Sequence, residues 1–112
     1  MPKRKGDKEV ISIGDKGDVF ELDTSLDLTA GVDTVKVRVD RFISTSSSWA
    51  QVVERTATVI TTTTVKATMS VTTSPFTVIG KHAARSLVNF TGGGLKHGDQ
   101  YVFHVQRDWP AT

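Results

Sequence analysis

Hydrophobic and polar residues alternate most strictly in the segment TVKVRVDRF at 34–42. Val35, Val37 and Val39 occupy every second position there, and charged residues stand between them. A period of two, with β-branched residues on one side and charges on the other, predicts a strand with one buried and one solvated face. We therefore predict that this segment is the central strand of a small antiparallel β-sandwich and that its valines line the core.

Shorter segments of the same kind flank this strand. They lie at 9–13, 19–22, 51–60, 65–71 and 101–106. The alternation at 65–71 and 101–106 is clean, and 51–60 is expected to form an antiparallel hairpin with 65–71. The serine-rich stretch at 44–48 has the composition of a loop or hairpin tip. These segments indicate about seven short strands separated by turns.

The only helical candidate is KHAARSLVNF at 81–90, where Leu87, Val88 and one alanine could form an apolar stripe. This segment spans less than three turns and has no good N-cap. With at most this one short helix near 81–90, the pattern predicts an all-β, immunoglobulin-like antiparallel β-sandwich. A β-barrel is compatible with the same spacing.

The length of 112 residues fits one domain that closes a single core. We expect a flexible basic N-terminal arm at 1–8, a β-sandwich domain at 9–107 and a C-terminal tail at 108–112. Cysteine is absent, which excludes disulfides and thiolate chemistry. No apolar run approaches the roughly 20 residues of a membrane span, and no apolar segment follows the basic start as in a secretory signal.

The charges give a net of +2, from 14 bases and 12 acids. Residues 1–9 hold four of those bases, Lys3, Arg4, Lys5 and Lys8, and two of the acids. The remainder is therefore neutral and offers no net electrostatic attraction for a phosphate backbone. Nucleic acid is accordingly not an expected partner.

Three features of the sequence suggest site chemistry, but each is better explained without it. The triple glycine at 92–94 lacks the GxxxxGK[ST] context of a phosphate loop, so a turn or hinge before the last strand is expected. His82, His97 and His104 are scattered, which argues against a zinc site. Serine and threonine are abundant, but no GxSxG elbow is present. We predict no enzyme, no catalytic residue, no cofactor and no metal.

The segment 15–33 carries six acids and one base. The spacing of a calcium-binding EF-hand is missing, so a solvated acidic edge is the simpler interpretation. Such an edge could also pair with a basic surface of a neighbouring subunit, including the arm. That hypothesis predicts an assembly that is sensitive to salt.

The run GDVFELDTSLDLTAGVDTVKVRV at 17–39 resembles the opening of the immunoglobulin-like domain at the N-terminus of baseplate upper proteins of tailed bacteriophages. Residues 27–31 correspond to its "DLTG"-type turn, and 55–71 and 95–106 look like its middle hairpin and closing strand. The resemblance implies a non-enzymatic structural or assembly protein of a phage particle, in the tail, baseplate, neck or capsid decoration. It implies a virion location after synthesis in the host cytoplasm, with other virion proteins and copies of itself as partners.

Two other functions are compatible with the residues. A carbohydrate-binding or adhesion module would use Trp49, Tyr101 or Trp109 as a stacking platform. A nucleic-acid accessory protein would act through the arm. No membrane partner or small-molecule substrate is expected.

Trp49 would either anchor its loop on the core or be exposed as a contact residue, and burial is the commoner fate. The candidate contact residues are Lys3, Arg4, Lys5, Lys8, Trp49, Trp109 and Pro110.

Overall fold

The computed structural model describes residues 10–107, so the arm expected at 1–8 and the tail expected at 108–112 lie outside the described part. Nine strands form within it. They are β1 (Val10–Ser12), β2 (Val19–Asp23), β3 (Val32–Ile43), β4 (Ser48–Thr56), β5 (Thr58–Val59), β6 (Thr64–Thr68), β7 (Gly80–Phe90), β8 (Leu95–His97) and β9 (Tyr101–Gln106).

Two sheets pack against each other as a sandwich. The main sheet has the order β1-β9-β7-β3-β4, with β8 paired to β7, and the second sheet has the order β2-β6-β5. β1 runs parallel to β9 and the other paired strands are antiparallel, so the main sheet is mixed. The predicted all-β sandwich is confirmed. Among residues 10–107 no helix has the length and apolar character to cross a membrane.

The core lies between the inner faces of the two sheets. Val35, Val37 and Val39 of β3 are buried there, as the alternation predicted. Phe20 of the second sheet and Phe103 of the main sheet meet between the layers with ring centroids 5.4 Å apart. Such aromatic contacts add to the stabilisation that burial of apolar area provides. β3 is one strand away from the centre of the main sheet, and β7 is its middle strand.

The prediction of a helix near 81–90 is wrong, because this segment forms the strand β7. Its backbone pairs with β3 on one side and with β9 on the other. His82, Ala84, Ser86 and Val88 are all buried at every second position, as in a strand. Two of these four are polar and one is small, so the period of two does not appear in a hydrophobicity pattern.

The hairpin expected between 51–60 and 65–71 is also different in part. β4 pairs with β3 in the main sheet, and the chain then crosses at the buried Ala57 into the second sheet. Of the segment 51–60, only β5 pairs with β6 there, in an antiparallel arrangement. β6 ends at Thr68, before Val71, which is 71% exposed.

Turns connect the remaining elements. The serine-rich stretch forms the turn of the β3–β4 hairpin, as expected. Leu28–Ala30 forms one 3₁₀ turn between the two sheets. The triple glycine lies in the turn of the β7–β8 hairpin, where the N–H of Gly93 donates to the carbonyl of Phe90 at 2.9 Å. Gly93 has a φ of +93°, a conformation that favours glycine.

Candidate functional site

The outer face of the main sheet is a regular surface formed by neighbouring strands. Because the valines of β3 point into the core, the residues between them point outward. β4 and β7 flank β3 and contribute side chains to the same face. No strand or 3₁₀ turn formed by residues 10–107 covers it.

An aromatic–cation patch, defined as Phe42, Trp49 and Lys81, lies on this face across β3, β4 and β7. Phe42 is directly opposite Trp49, and their ring centroids are 5.2 Å apart at an interplanar angle of 61°. The Nζ atom of Lys81 lies 5.5 Å from the ring centroid of Phe42 and 5.9 Å from that of Trp49. Both distances are within the range of cation–π attraction. Trp49 is 37% exposed, so the patch presents an aromatic surface and a positive charge together.

An ion cluster lies next to the patch along β3. The carboxylate of Asp40 accepts a hydrogen bond from Nε of Arg38 at 2.9 Å, and Nη2 of Arg85 lies 3.9 Å from its other oxygen. Asp40 is buried, whereas about a third of each arginine side chain is exposed. Nε of Arg85 is buried without a hydrogen-bond partner. The cluster therefore holds two guanidinium groups at the surface of the sheet.

A β-bulge brings the patch and the ion cluster together. On β3, Val39 and Asp40 are consecutive, but their partners on β4 are Val53 and Gln51. Val52 is thus the extra residue on β4, and such an insertion increases the local twist of a strand. Because of the bulge, Gln51 and Trp49 lie beside Asp40 and Phe42 on the outer face.

Folding separates the charges of the described residues. The outer face of the main sheet carries four bases and two acids, and one of the pairs is Lys36 with Glu54 at 3.3 Å. The other acids are on β2, at the start of β3 and in loops. They are Asp15, Asp18, Glu21, Asp23, Asp27, Asp33 and Asp99. The remaining described residues also carry six bases, so the described chain has a sheet face of net charge +2 and a remainder of net charge −1, whose acids are concentrated on β2 and in loops.

Two of these acids meet at one turn. The N–H of Ser25 donates to Oδ1 of Asp23 at 2.9 Å, and Oγ of Ser25 donates to Oδ2 of Asp99 at 2.7 Å. The side chains of all three residues are solvent-exposed. We call Asp23 and Asp99 the acidic end.

The contact residues predicted from the sequence differ in their exposure and in whether they lie within the described part of the chain. Trp49 is partly exposed, against the commoner expectation of burial. Tyr101 is 5% exposed and packs beside Phe103 in the core, so it provides no stacking surface. The remaining candidates, Lys3, Arg4, Lys5, Lys8, Trp109 and Pro110, lie outside the described residues.

Sequence reasoning missed two members of the patch, Phe42 and Lys81. Phe42 was assigned only to the end of a strand, and Lys81 to the start of a helix. A correct assignment of β7 as a strand would have revealed both residues. In the antiparallel pair of β3 and β7, Arg41 is opposite His82. Phe42 follows Arg41 and Lys81 precedes His82, so the two strands bring Phe42 and Lys81 together.

The histidines do not form a site together. His82 is buried at 1% exposure, and its Nδ1 lies 3.0 Å from the carbonyl oxygen of Gly80. Burial lowers the pKa of His82 below its usual 6.5. His104 faces solvent on β9, and His97 is on β8. Within residues 10–107 no three His, Cys, Asp or Glu side chains converge as metal ligands.

Comparisons with known proteins give a structural likeness only. No protein-family model matches the chain, and no curated protein matches its sequence. Among solved structures, the crystal structure of CopC from Methylosinus trichosporium OB3b matches with a TM-score of 0.50 and 16% identity. The match covers 94% of this chain and 89% of that one. It establishes the fold alone.

This likeness contradicts the predicted role as a structural protein of a phage particle. The solved structure that this fold matches is CopC from Methylosinus trichosporium OB3b and not a component of a phage particle. The resemblance to the baseplate domain itself is not tested by these comparisons and stays a prediction. At 16% identity, no ligand or role of CopC is carried over to this chain.

Proposed function

We propose that the protein is a non-enzymatic binding domain that holds an acidic protein surface on the outer face of its main sheet. The observation that carries this proposal is the aromatic–cation patch, in which Lys81 lies over the rings of Phe42 and the partly exposed Trp49. Tryptophan and arginine are the residues that most often dominate the binding energy of protein interfaces. Arg38 and Arg85 stand in the ion cluster beside the patch and extend its positive surface.

The acidic partner favoured by the charge distribution is another copy of this chain. The positive sheet face of one copy complements the acidic end of the next, since Asp23 and Asp99 project from a different part of the sandwich. A contact between two different surfaces is heterologous and extends from copy to copy. Complementary charges steer such encounters and fix their orientation.

Sedimentation velocity at increasing protein concentration tests this proposal. We expect a mass above the 12.2 kDa of one chain at low ionic strength, and a return toward that mass when salt screens the charges, since the Debye length falls from about 30 Å at 0.01 M to about 3 Å at 1 M. Trp49→Ala should weaken association about 30-fold, as expected for loss of an interface anchor worth about 2 kcal/mol. A chain that stays monomeric at millimolar concentration and low salt would contradict the proposal.

Charge reversal at either surface shows which surfaces meet. Lys81→Glu on the sheet face and Asp23→Lys at the acidic end should each prevent self-association. An equimolar mixture of the two should associate again, because each variant keeps the surface that the other has lost. Lys66→Glu is the matched control, since Lys66 is exposed on the second sheet opposite Glu21. If the Asp23→Lys variant still associates alone, the acidic end is not the partner surface and the proposed pairing is wrong.

A further inference from the structure

A cavity lies away from the patch, between the 3₁₀ turn and the β7–β8 hairpin. Its volume is about 420 Å³, and it is lined by Leu26, Ala30, Phe90 and the glycines 92–93, with Asp27 and Lys96 at its opening to solvent. Small-molecule sites usually enclose between about 300 and 1,000 Å³ and combine apolar walls with a few polar groups. This cavity has both properties and takes no part in the proposed binding of an acidic protein.

Backbone hydrogen bonds hold the walls of the cavity together. The N–H of Thr91 in the hairpin donates to the carbonyl of Gly31 beside the 3₁₀ turn at 3.0 Å. The N–H of Phe90 donates to the carbonyl of Gly94 at 3.1 Å and closes the hairpin. Phe90 and Leu26 also pack against the hydrophobic core. The cavity is thus formed before any ligand enters, which reduces the entropic cost of binding.

A fixed negative charge and a positive charge stand at this cavity. Oδ1 of Asp27 accepts hydrogen bonds from the N–H of Thr29 at 3.0 Å and from its Oγ1 at 2.6 Å. These bonds hold the pKa of Asp27 below its usual 3.8, so the carboxylate is charged at neutral pH. Its Oδ2 makes no hydrogen bond, and Lys96 Nζ no ion pair, with any residue between 10 and 107.

We propose that this cavity binds a small zwitterion with an apolar body, such as an apolar amino acid. The cationic group of the ligand pairs with Asp27, its carboxylate pairs with Lys96, and its apolar part lies against Phe90 and Leu26. A molecule with only one of the two charges satisfies one contact and binds more weakly.

Binding can be measured by NMR titration of the ¹⁵N-labelled full chain with L-phenylalanine, phenethylamine and 3-phenylpropionate. We expect phenylalanine to perturb the amides of Phe90, Gly92 and Lys96 and to bind about 5- to 10-fold more tightly than either single-charge analogue, as expected for one exposed charge contact of about 1 kcal/mol. Gly92→Val should abolish binding, because Gly92 lines the cavity and a valine side chain there would occupy part of it. The variant should still fold, since a Cβ at this position meets no other atom and the φ of Gly92 is not positive.

Two isosteric variants assign the charges. Asp27→Asn keeps the Oδ1 acceptor for Thr29 and should weaken phenylalanine and phenethylamine but not 3-phenylpropionate. Lys96→Gln should weaken phenylalanine and 3-phenylpropionate but not phenethylamine. Asp33→Asn and Lys66→Gln are the controls outside the cavity and should change nothing. The proposal is overturned if phenylalanine causes no change at about 10 mM, or if its affinity is the same in the two isosteric variants as in the wild type.

Discussion

The imidazole of His82 lies inside the sandwich beside the rings of Phe76 and Phe103, at centroid distances of 6.2 and 5.6 Å. Burial is the main cause of its lowered pKa, and the positive charges of Arg41 and His104 lower it further. The carbonyl of Gly80 acts in the opposite direction. A charged imidazole in this position would lose its hydration without an anionic partner to replace it. The core therefore holds His82 in its neutral form.

This arrangement predicts a loss of stability below about pH 6.5. The unfolded chain protonates His82 there while the folded chain does not, so the unfolding free energy falls as the pH decreases, by at most about 1.4 kcal/mol per pH unit. Urea unfolding between pH 7.5 and 5.5 measures the slope. His82→Gln should remove most of it, whatever its effect on stability at pH 7.5. The exposed His97→Gln is the control and should keep the slope, since His97 is not among the groups that shift the pKa of His82. Equal slopes in the wild type and His82→Gln would refute this origin.

At the scale of the elements, β3 was predictable and β7 was not. The inward positions of β3 are three valines separated by charged residues, so hydrophobicity alone gives its period. The inward positions of β7 include a histidine and a serine, and tertiary pairing with β3 and β9 decides its conformation. The patch was not predictable for a related reason. Its residues are distant in sequence, and only strand pairing places them side by side.

The ion cluster shows how β3 and β7 are coupled on their polar face. Arg85 on β7 is directly opposite Arg38 on β3, and such like charges repel unless an anion separates them. The buried carboxylate of Asp40 lies within 3.9 Å of both guanidinium groups. The sheet therefore depends on this acid to reduce the repulsion between Arg38 and Arg85.

Asp40→Ala should destabilise the fold by about 2 kcal/mol. This is less than the 3–5 kcal/mol for a fully buried pair, because the two arginines are partly hydrated. Glu54→Ala, which breaks the more exposed pair with Lys36, is the matched control and should cost between about 0 and 1 kcal/mol. Urea unfolding midpoints of dilute protein, where copies do not associate, compare the two. If both variants lose the same stability, Asp40 has no special role between the arginines.

At the scale of the whole molecule, the first and last described strands lie side by side. β1 and β9 form a parallel pair in which Ile11 is opposite Val105, and the N–H of Ile13 donates to the carbonyl of Gln106 at 2.7 Å. A parallel pair between such distant segments closes a loop that includes nearly the entire domain, and its entropic cost is met only when the rest is folded. β4, which carries Trp49, lies at the opposite edge of the same sheet.

This topology predicts that a change in β1 weakens the whole domain and not one edge. Ile11 is fully buried, so Ile11→Ala should cost about 3 kcal/mol. In a Trp109→Phe background, the fluorescence of Trp49 then reports from the far edge of the sheet. Its urea midpoint should decrease together with that of the far-UV circular dichroism, as in a two-state transition. Val102→Ala, at a position 36% exposed on β9, is the control for the loss of an apolar side chain. The prediction is wrong if Ile11→Ala reduces the circular dichroism signal but leaves the urea midpoint of the Trp49 fluorescence unchanged. In that case β1 unfolds on its own, and only this edge of the sheet depends on Ile11.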